Sequence, residues 1–180
     1  MLTRRVTLAG FLVALALAVG ACGDEEPGVD EPAREGLALE LEGVEYNVFI
    51  TRQLNPTITP DEAYYDGPEP ERGQTLYGVF LQACNNSDEP LETVDEFVVV
   101  DNQGNEFEPE ELPEDNQFAY RARELLPKEC IPEAGSVAQL GPTSGSMLLF
   151  QIPLQNTENR PLELEIEGEG DEALTFELDI

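Results

Sequence analysis

The chain has 180 residues, 38 acidic against nine basic side chains, no histidine and no tryptophan. A formal charge of −29 excludes a phosphate-binding nucleic-acid partner, which needs lysine and arginine. The missing histidine removes the commonest general base and metal ligand, and hydrophobic residues at 41% supply enough material for one packed domain.

Residues 1–21 read as an export leader. Arg4 and Arg5 form a positive head, 6–19 an apolar centre, and Gly20 and Ala21 a small pair before Cys22. The apolar run is shorter than the ~20 residues of a membrane span. The stretch Val19-Gly20-Ala21-Cys22 resembles the lipobox of bacterial lipoproteins, with Val19 where that motif prefers leucine. The resemblance implies cleavage before Cys22, a diacylglyceryl thioether on its sulfur, and anchoring to the outer face of the bacterial cell membrane. Several acyl chains hold stably where one does not. Residues 3–8 partly resemble a twin-arginine signal, but Thr7 replaces the preferred phenylalanine. Loss of the leader takes Arg4 and Arg5 and leaves all 38 acids against seven bases.

Residues 22–36 contain six acids, one arginine, two prolines and three glycines. Val29 is their only branched aliphatic residue, so this segment reads as a disordered acidic tether. Residues 37–180 form the expected domain. Apolar side chains alternate with polar ones over 37–42, 44–51, 76–83, 162–167 and 174–180. The run 97–100 is apolar throughout, Asn102-Gln103-Gly104 predicts a hairpin into 105–108, and 137–140 and 147–152 are further strand candidates. Residues 116–126 carry helical spacing that Pro127 ends. Eight or nine short strands with one polar face predict an all-β protein, an antiparallel immunoglobulin-like β-sandwich. Glutamates on outward positions of neighbouring strands should repel and need screening by salt or cations.

Three segments carry a family resemblance: 77–90 with the strand-turn Ala83-Cys84-Asn85-Asn86, 97–107 with its Asp101-Asn102-Gln103-Gly104 turn, and 145–153 before a final strand pair. In this order behind a lipobox they resemble the secreted immunoglobulin-like lipoprotein domains of Gram-positive bacteria of the DUF4352 type, a domain of unknown function that shares the immunoprotective extracellular protein fold. The resemblance spans about residues 43–180 and implies a surface sandwich without catalytic residues. The acidity and the long 56–73 loop depart from it.

With Cys22 lipidated, Cys84 and Cys130 remain and are expected to pair in an oxidising compartment. The bridge should pin the irregular 109–136 stretch to the sheet. No Ser-His-Asp triad is possible without histidine, and Lys128 is the only lysine for a Ser-Lys pair, so no enzyme is expected. Calcium is the one cofactor considered, with Glu106, Glu108, Glu110, Glu111, Glu114 and Asp115 as ligand candidates and further acids in the 56–73 loop. The segment 101–112 fails the EF-hand pattern because its glycine falls fourth and Leu112 twelfth. The chain therefore reads as a lipid-anchored binding module with a possible envelope protein as partner. Its long loops offer Tyr64, Tyr65, Phe118 and Tyr120 as contact residues, against the plainer reading that they pack their own loops.

Overall fold

A computed structural model describes residues 26–180. The leader, Cys22 and the first residues of the tether lie outside them. The chain folds as an antiparallel β-sandwich. Its strands are β1 (Ala33–Arg34), β2 (Ala38–Leu41), β3 (Val44–Leu54), β4 (Gln74–Asn85), β5 (Leu91–Glu92), β6 (Glu96–Asp101), β7 (Glu106–Phe107), β8 (Glu124–Leu125), β9 (Cys130–Ile131), β10 (Ser146–Pro153), β11 (Leu162–Glu167) and β12 (Ala173–Glu177). The front sheet runs β1-β12-β11-β6-β7, and the back sheet β10-β4-β3-β2 with β9 extending the β10 side of β4. All these pairings are antiparallel except that of β1 with β12.

The period-two pattern does what it predicts. Val44, Tyr46 and Val48 of β3, Tyr77, Val79 and Leu81 of β4, and Leu162, Leu164 and Ile166 of β11 meet in one core between the sheets. One irregularity changes the pattern: a bulge between Val48 and Ile50 inserts Phe49 without a partner. A bulge shifts the alternation by one residue. Ile50, expected on the inner face, is consequently 40% exposed, while Thr51 is buried.

A second core lies on the outer face of the back sheet. Leu54, Leu76, Phe80, Met147 and Leu149 project there and are covered by Tyr64, Leu112, Phe118 and Ala138 from three connecting segments. Leu76 and Phe80 occupy the half of β4 that a one-sided sheet would leave polar. Burying that half requires the loops to fold over it. The 55–64 loop is fixed by the buried Asp61, which accepts from Arg52 at 2.6 Å and from the backbone N–H of Asn55 at 2.9 Å. The Arg52 guanidinium sits 5.7 Å from the Tyr64 ring centre.

Three expectations need correction. Residues Val137–Leu140 form a single helical turn, not a strand: Ser136 Oγ accepts the Gln139 backbone N–H at 3.2 Å, and Gln139 Oε1 accepts from Gly135 at 3.2 Å. That is a capping arrangement written in the sequence as Ser-x-x-Gln. Residues 116–126 form no helix among the described residues. The Asn116 carboxamide accepts the Phe118 and Ala119 backbone N–H groups, and the chain then runs extended along β10 through Ala119 and Tyr120 to β8. Finally, residues 26–36 belong to the fold. Ala33 pairs with Phe176 and is 3% exposed, and the Thr175 backbone N–H reaches the Gly28 carbonyl at 2.7 Å. Gly28 fits between β2 and β12 because it carries no side chain. A Cβ on Gly28 would stand 2.3 Å from Leu39 Cδ1.

Candidate functional site

The expected disulfide is present. Cys84 and Cys130 sit directly opposite each other on β4 and β9 and are bonded across a sequence separation of 46. The bridge anchors a strap formed by 109–131. Glu110 donates its backbone N–H to Leu149 at 2.6 Å, and Tyr120 donates to Met147 at 2.9 Å, so the strap closes the β10 edge of the back sheet. Asn85, next to the bridge, is fully buried. Its amide donates to the carbonyls of Glu89 and Leu125, and its oxygen accepts from Ser87, so Asn85-Asn86-Ser87 forms a structural turn.

Three of the four aromatic contact candidates are interior. Tyr64 packs edge-on against Phe80 and Phe118, each with centroids 4.9 Å apart. Tyr120 packs edge-on against Phe97, and its hydroxyl donates to the Val94 carbonyl at 3.0 Å while Tyr46 accepts the Val94 N–H at 2.9 Å. Burial, followed by the neighbouring Tyr46, pushes the Tyr120 phenol up. Tyr64, Phe118 and Tyr120 are thus corrected from partner contacts to packing residues, because the outer apolar half of β4 and the mouth of the core claim them. Tyr65 alone stays half-buried at the margin of the second core.

The calcium candidates do not converge. Glu106, Glu108 and Glu110 ride an extended segment, which spaces alternate side chains about 7 Å apart. Glu111, Glu114 and Asp115 lie further along the strap, and among the described residues no three acidic, cysteine or histidine groups form a metal-sized cluster. Asp101 is closed to a cation as well. Its buried carboxylate accepts from the Gln103 and Asn105 backbones and from the side-chain amides of Asn105, Asn156 and Asn159, all between 2.8 and 3.0 Å. Burial pushes its carboxyl up, but these donors prevail and hold it well below the usual carboxylate range.

The structure does gather a site that sequence reasoning missed. A cleft of about 880 Å³ opens at the β6-β7 edge of the front sheet. Asp95, Glu96, Glu106, Glu108, Glu110, Glu165 and Glu167 surround it, with Val98 and Phe107 as apolar lining. It adjoins a smaller cavity of about 200 Å³ between Phe97, Leu112, Tyr120 and Met147. Strand order creates the cleft: β7 is only two residues long, and Pro109 then turns the chain toward Phe150 of the back sheet. Glu165 faces outward on β11 beside Val98 on β6, while Glu96 and Glu167 are register partners. The signal available in the sequence was the Glu163-x-Glu165-x-Glu167 alternation. Its neighbours across β6 and β7 were not.

Burial and repulsion together act on the carboxyls of this face. Partial burial, then Glu167 and Glu106, push the Glu165 carboxyl above its usual range; partial burial, then Glu165 and Glu177, do the same to Glu163. Glu163 and Glu177 are direct cross-strand partners. None of the ion pairs among the described residues lies on this face. The double substitution Glu163→Gln with Glu165→Gln should therefore raise stability by roughly 0.5 kcal/mol in ~0.01 M salt. The gain should fade by ~0.1 M, where the Debye length has dropped from about 30 to about 10 Å. Thermal unfolding of both proteins at the two ionic strengths checks this.

No protein-family profile matches the chain, and no curated protein matches its sequence. Solved structures do resemble it. A conserved hypothetical protein from Bacillus anthracis superposes with a TM-score of 0.50 at 11% identity, covering 79% of this chain and 93% of its own. The Bacillus subtilis protein ycdA, described as a candidate lipoprotein, gives 0.49 at 14% identity over 81% of this chain, which spans 38% of ycdA. A β-sandwich protein of Clostridium difficile 630 gives 0.47 at 15% identity, over 86% of this chain and all of its own. These likenesses are of fold alone; the antiparallel β-sandwich is defined by the chain's own sheets.

Proposed function

We propose that the chain is an exported, lipid-anchored binding module without catalytic activity, and that the acidic cleft at the β6-β7 edge is its ligand face. The observation that carries the reading is the joining of seven carboxylates to a cavity walled by Phe97, Leu112, Tyr120 and Met147 at one open edge. Such a face suits a cationic ligand with an apolar group, for example a basic segment of an envelope protein. The order of the 77–90, 97–107 and 145–153 motifs behind the Cys22 lipobox supports kinship with the DUF4352-type surface domains and an anchor on Cys22. The nucleophile candidates support a non-catalytic role. Ser87 and Ser144 hydroxyls are engaged in their own turns, Ser136 caps a helical turn, Ser146 is buried, and Lys128 holds the Asn86 carbonyl and lies 3.7 Å from Asp88.

Titration of a lysine-rich peptide carrying one phenylalanine into the exported chain bearing Cys22→Ala tests the ligand face. Binding should weaken about tenfold when Glu165→Gln and Glu167→Gln are combined, and weaken as salt rises. Glu62→Gln, in the 55–64 loop, should leave it unchanged. Equal affinity in all three proteins contradicts the assignment. A rise in melting temperature that saturates with calcium and is not matched by magnesium would instead support a calcium-binding surface protein.

A further inference from the structure

The folded region starts far closer to Cys22 than a 15-residue tether allows. Glu26 and Asp30 already close a turn, with the Glu26 backbone N–H 2.8 Å from the Asp30 carboxylate, and Gly28 is bonded to Thr175 of β12. Only three residues lie between Cys22 and Glu26, and the four chain steps reach at most about 14 Å. The long strand β4, with 12 residues, spans about 40 Å. A spacer that short against a domain that long restricts which end can approach the point of attachment.

The registers identify that end. Gly28 lies beside Leu39 and Leu174, on the β2-β12 side of the sandwich. Leu174 pairs with Ile166 and Ile166 with Phe97, and Leu39 pairs with Tyr46 and Tyr46 with Ala83. These positions all lie toward the end that carries the 168–172 hairpin tip and the Glu42-Gly43 turn. That end is closed by the Glu169 backbone N–H donating to the Glu42 carboxylate. The 55–73 loop and the 102–104 turn stand at the opposite end, and the acidic cleft opens on the opposite edge, at β6 and β7.

Resting on the lipid anchor at Cys22 proposed above, we infer that the sandwich stands on the bilayer by its hairpin end, with the 168–172 tip facing the lipid headgroups and the 55–73 and 102–104 segments facing outward. The near end is acidic, through Glu42, Glu169, Asp171 and Glu172. It is therefore held by the covalent spacer and not by attraction to an anionic surface. The cleft opens on the edge away from the exit of the chain, with its Glu96 and Glu167 wall toward the near end.

The test uses the full lipidated chain in phosphatidylcholine vesicles bearing a headgroup-attached energy acceptor. A fluorophore is placed on Asp171→Cys or on Gln103→Cys, both exposed positions. Quenching of the 171 label should exceed that of the 103 label at least about twofold, given a separation along the strands of some 30 Å or more. A 15-residue glycine-serine insertion between Gly23 and Asp24 should bring the ratio close to one. Protein that floats with the vesicles but shows a ratio of one or below with the native spacer overturns the orientation alone. Protein that carries no lipid and does not float overturns the anchor and the orientation together.

Discussion

Replacing Cys84 and Cys130 together by alanine should lower the unfolding free energy by about 3 kcal/mol, within a loop-entropy ceiling near 4 kcal/mol for a separation of 46 residues. The bridge does more than shorten the unfolded chain. It holds β9 in register beside β4, and the strap leading into it supplies Leu125 and Tyr120 to the main core and Leu112 and Phe118 to the second. Without the bridge, the backbone bonds from Asn85 to Glu129 and from Lys128 to Asn85 remain the local ties at that point. Guanidinium unfolding of the oxidised and alanine-substituted proteins measures the loss. Amide hydrogen exchange should show it concentrated in 109–131. An unchanged midpoint would mean that the apolar side chains of the strap suffice.

The second large effect belongs to Asp101. Asp101→Asn should destabilise the protein far more than Glu108→Gln, although both remove one charge. An amide at position 101 would point a donor at donors already supplied by Asn105, Asn156 and Asn159, and would leave buried polar groups unpaired. The pH dependence carries a specific sign. A carboxyl held low in the folded state contributes stability above its unfolded value, near pH 4, and loses it as pH falls through the lower folded value. Glu163 and Glu165 act oppositely. Their raised folded values mean that the cost of burying and crowding the charged forms is fully present at neutral pH and is relieved as pH falls through them toward the unfolded value near 4.3. The melting temperature should therefore rise from pH 7 to a maximum between about pH 4 and 6, then drop steeply. In Asp101→Asn the steep acid limb should flatten, and in Glu163→Gln with Glu165→Gln the rise should shrink.

The strands were legible because alternation is a direct imprint of a half-buried sheet. Leu162, Leu164 and Ile166 face the core as their spacing requires, and the Asn102-Gln103-Gly104 turn forms with Gly104 at a φ of 78°. The disulfide was legible from the compartment that Cys22 implies. Other features depend on partners distant in sequence. Nothing local in Phe49 marks a bulge; it follows from fitting β3 to both β2 and the long β4. Tyr64 and Phe118 read as exposed loop aromatics until Leu76 and Phe80 are seen to need a cover. The 26–36 segment reads as a spacer because its composition is acidic and poor in apolar residues. Ala33 nonetheless completes the core edge, paired with Phe176 of β12 and buried. The cleft is the same case. Its acids come from three separated stretches and meet only through the β11-β6-β7 order.

The fold places an acidic cleft at one edge, a disulfide-anchored strap along the back sheet and the start of the folded region at the opposite corner. In the proposed function, modification of the Cys22 sulfur is what makes this a surface protein. Mass spectrometry of the tryptic peptide spanning residues 22–34, taken from the membrane fraction of the producing cell, tests this most directly. The account predicts a peptide that begins at Cys22 and carries a diacylglyceryl group on its sulfur. A chain retaining Met1, or one beginning at Cys22 with a free thiol, would contradict it.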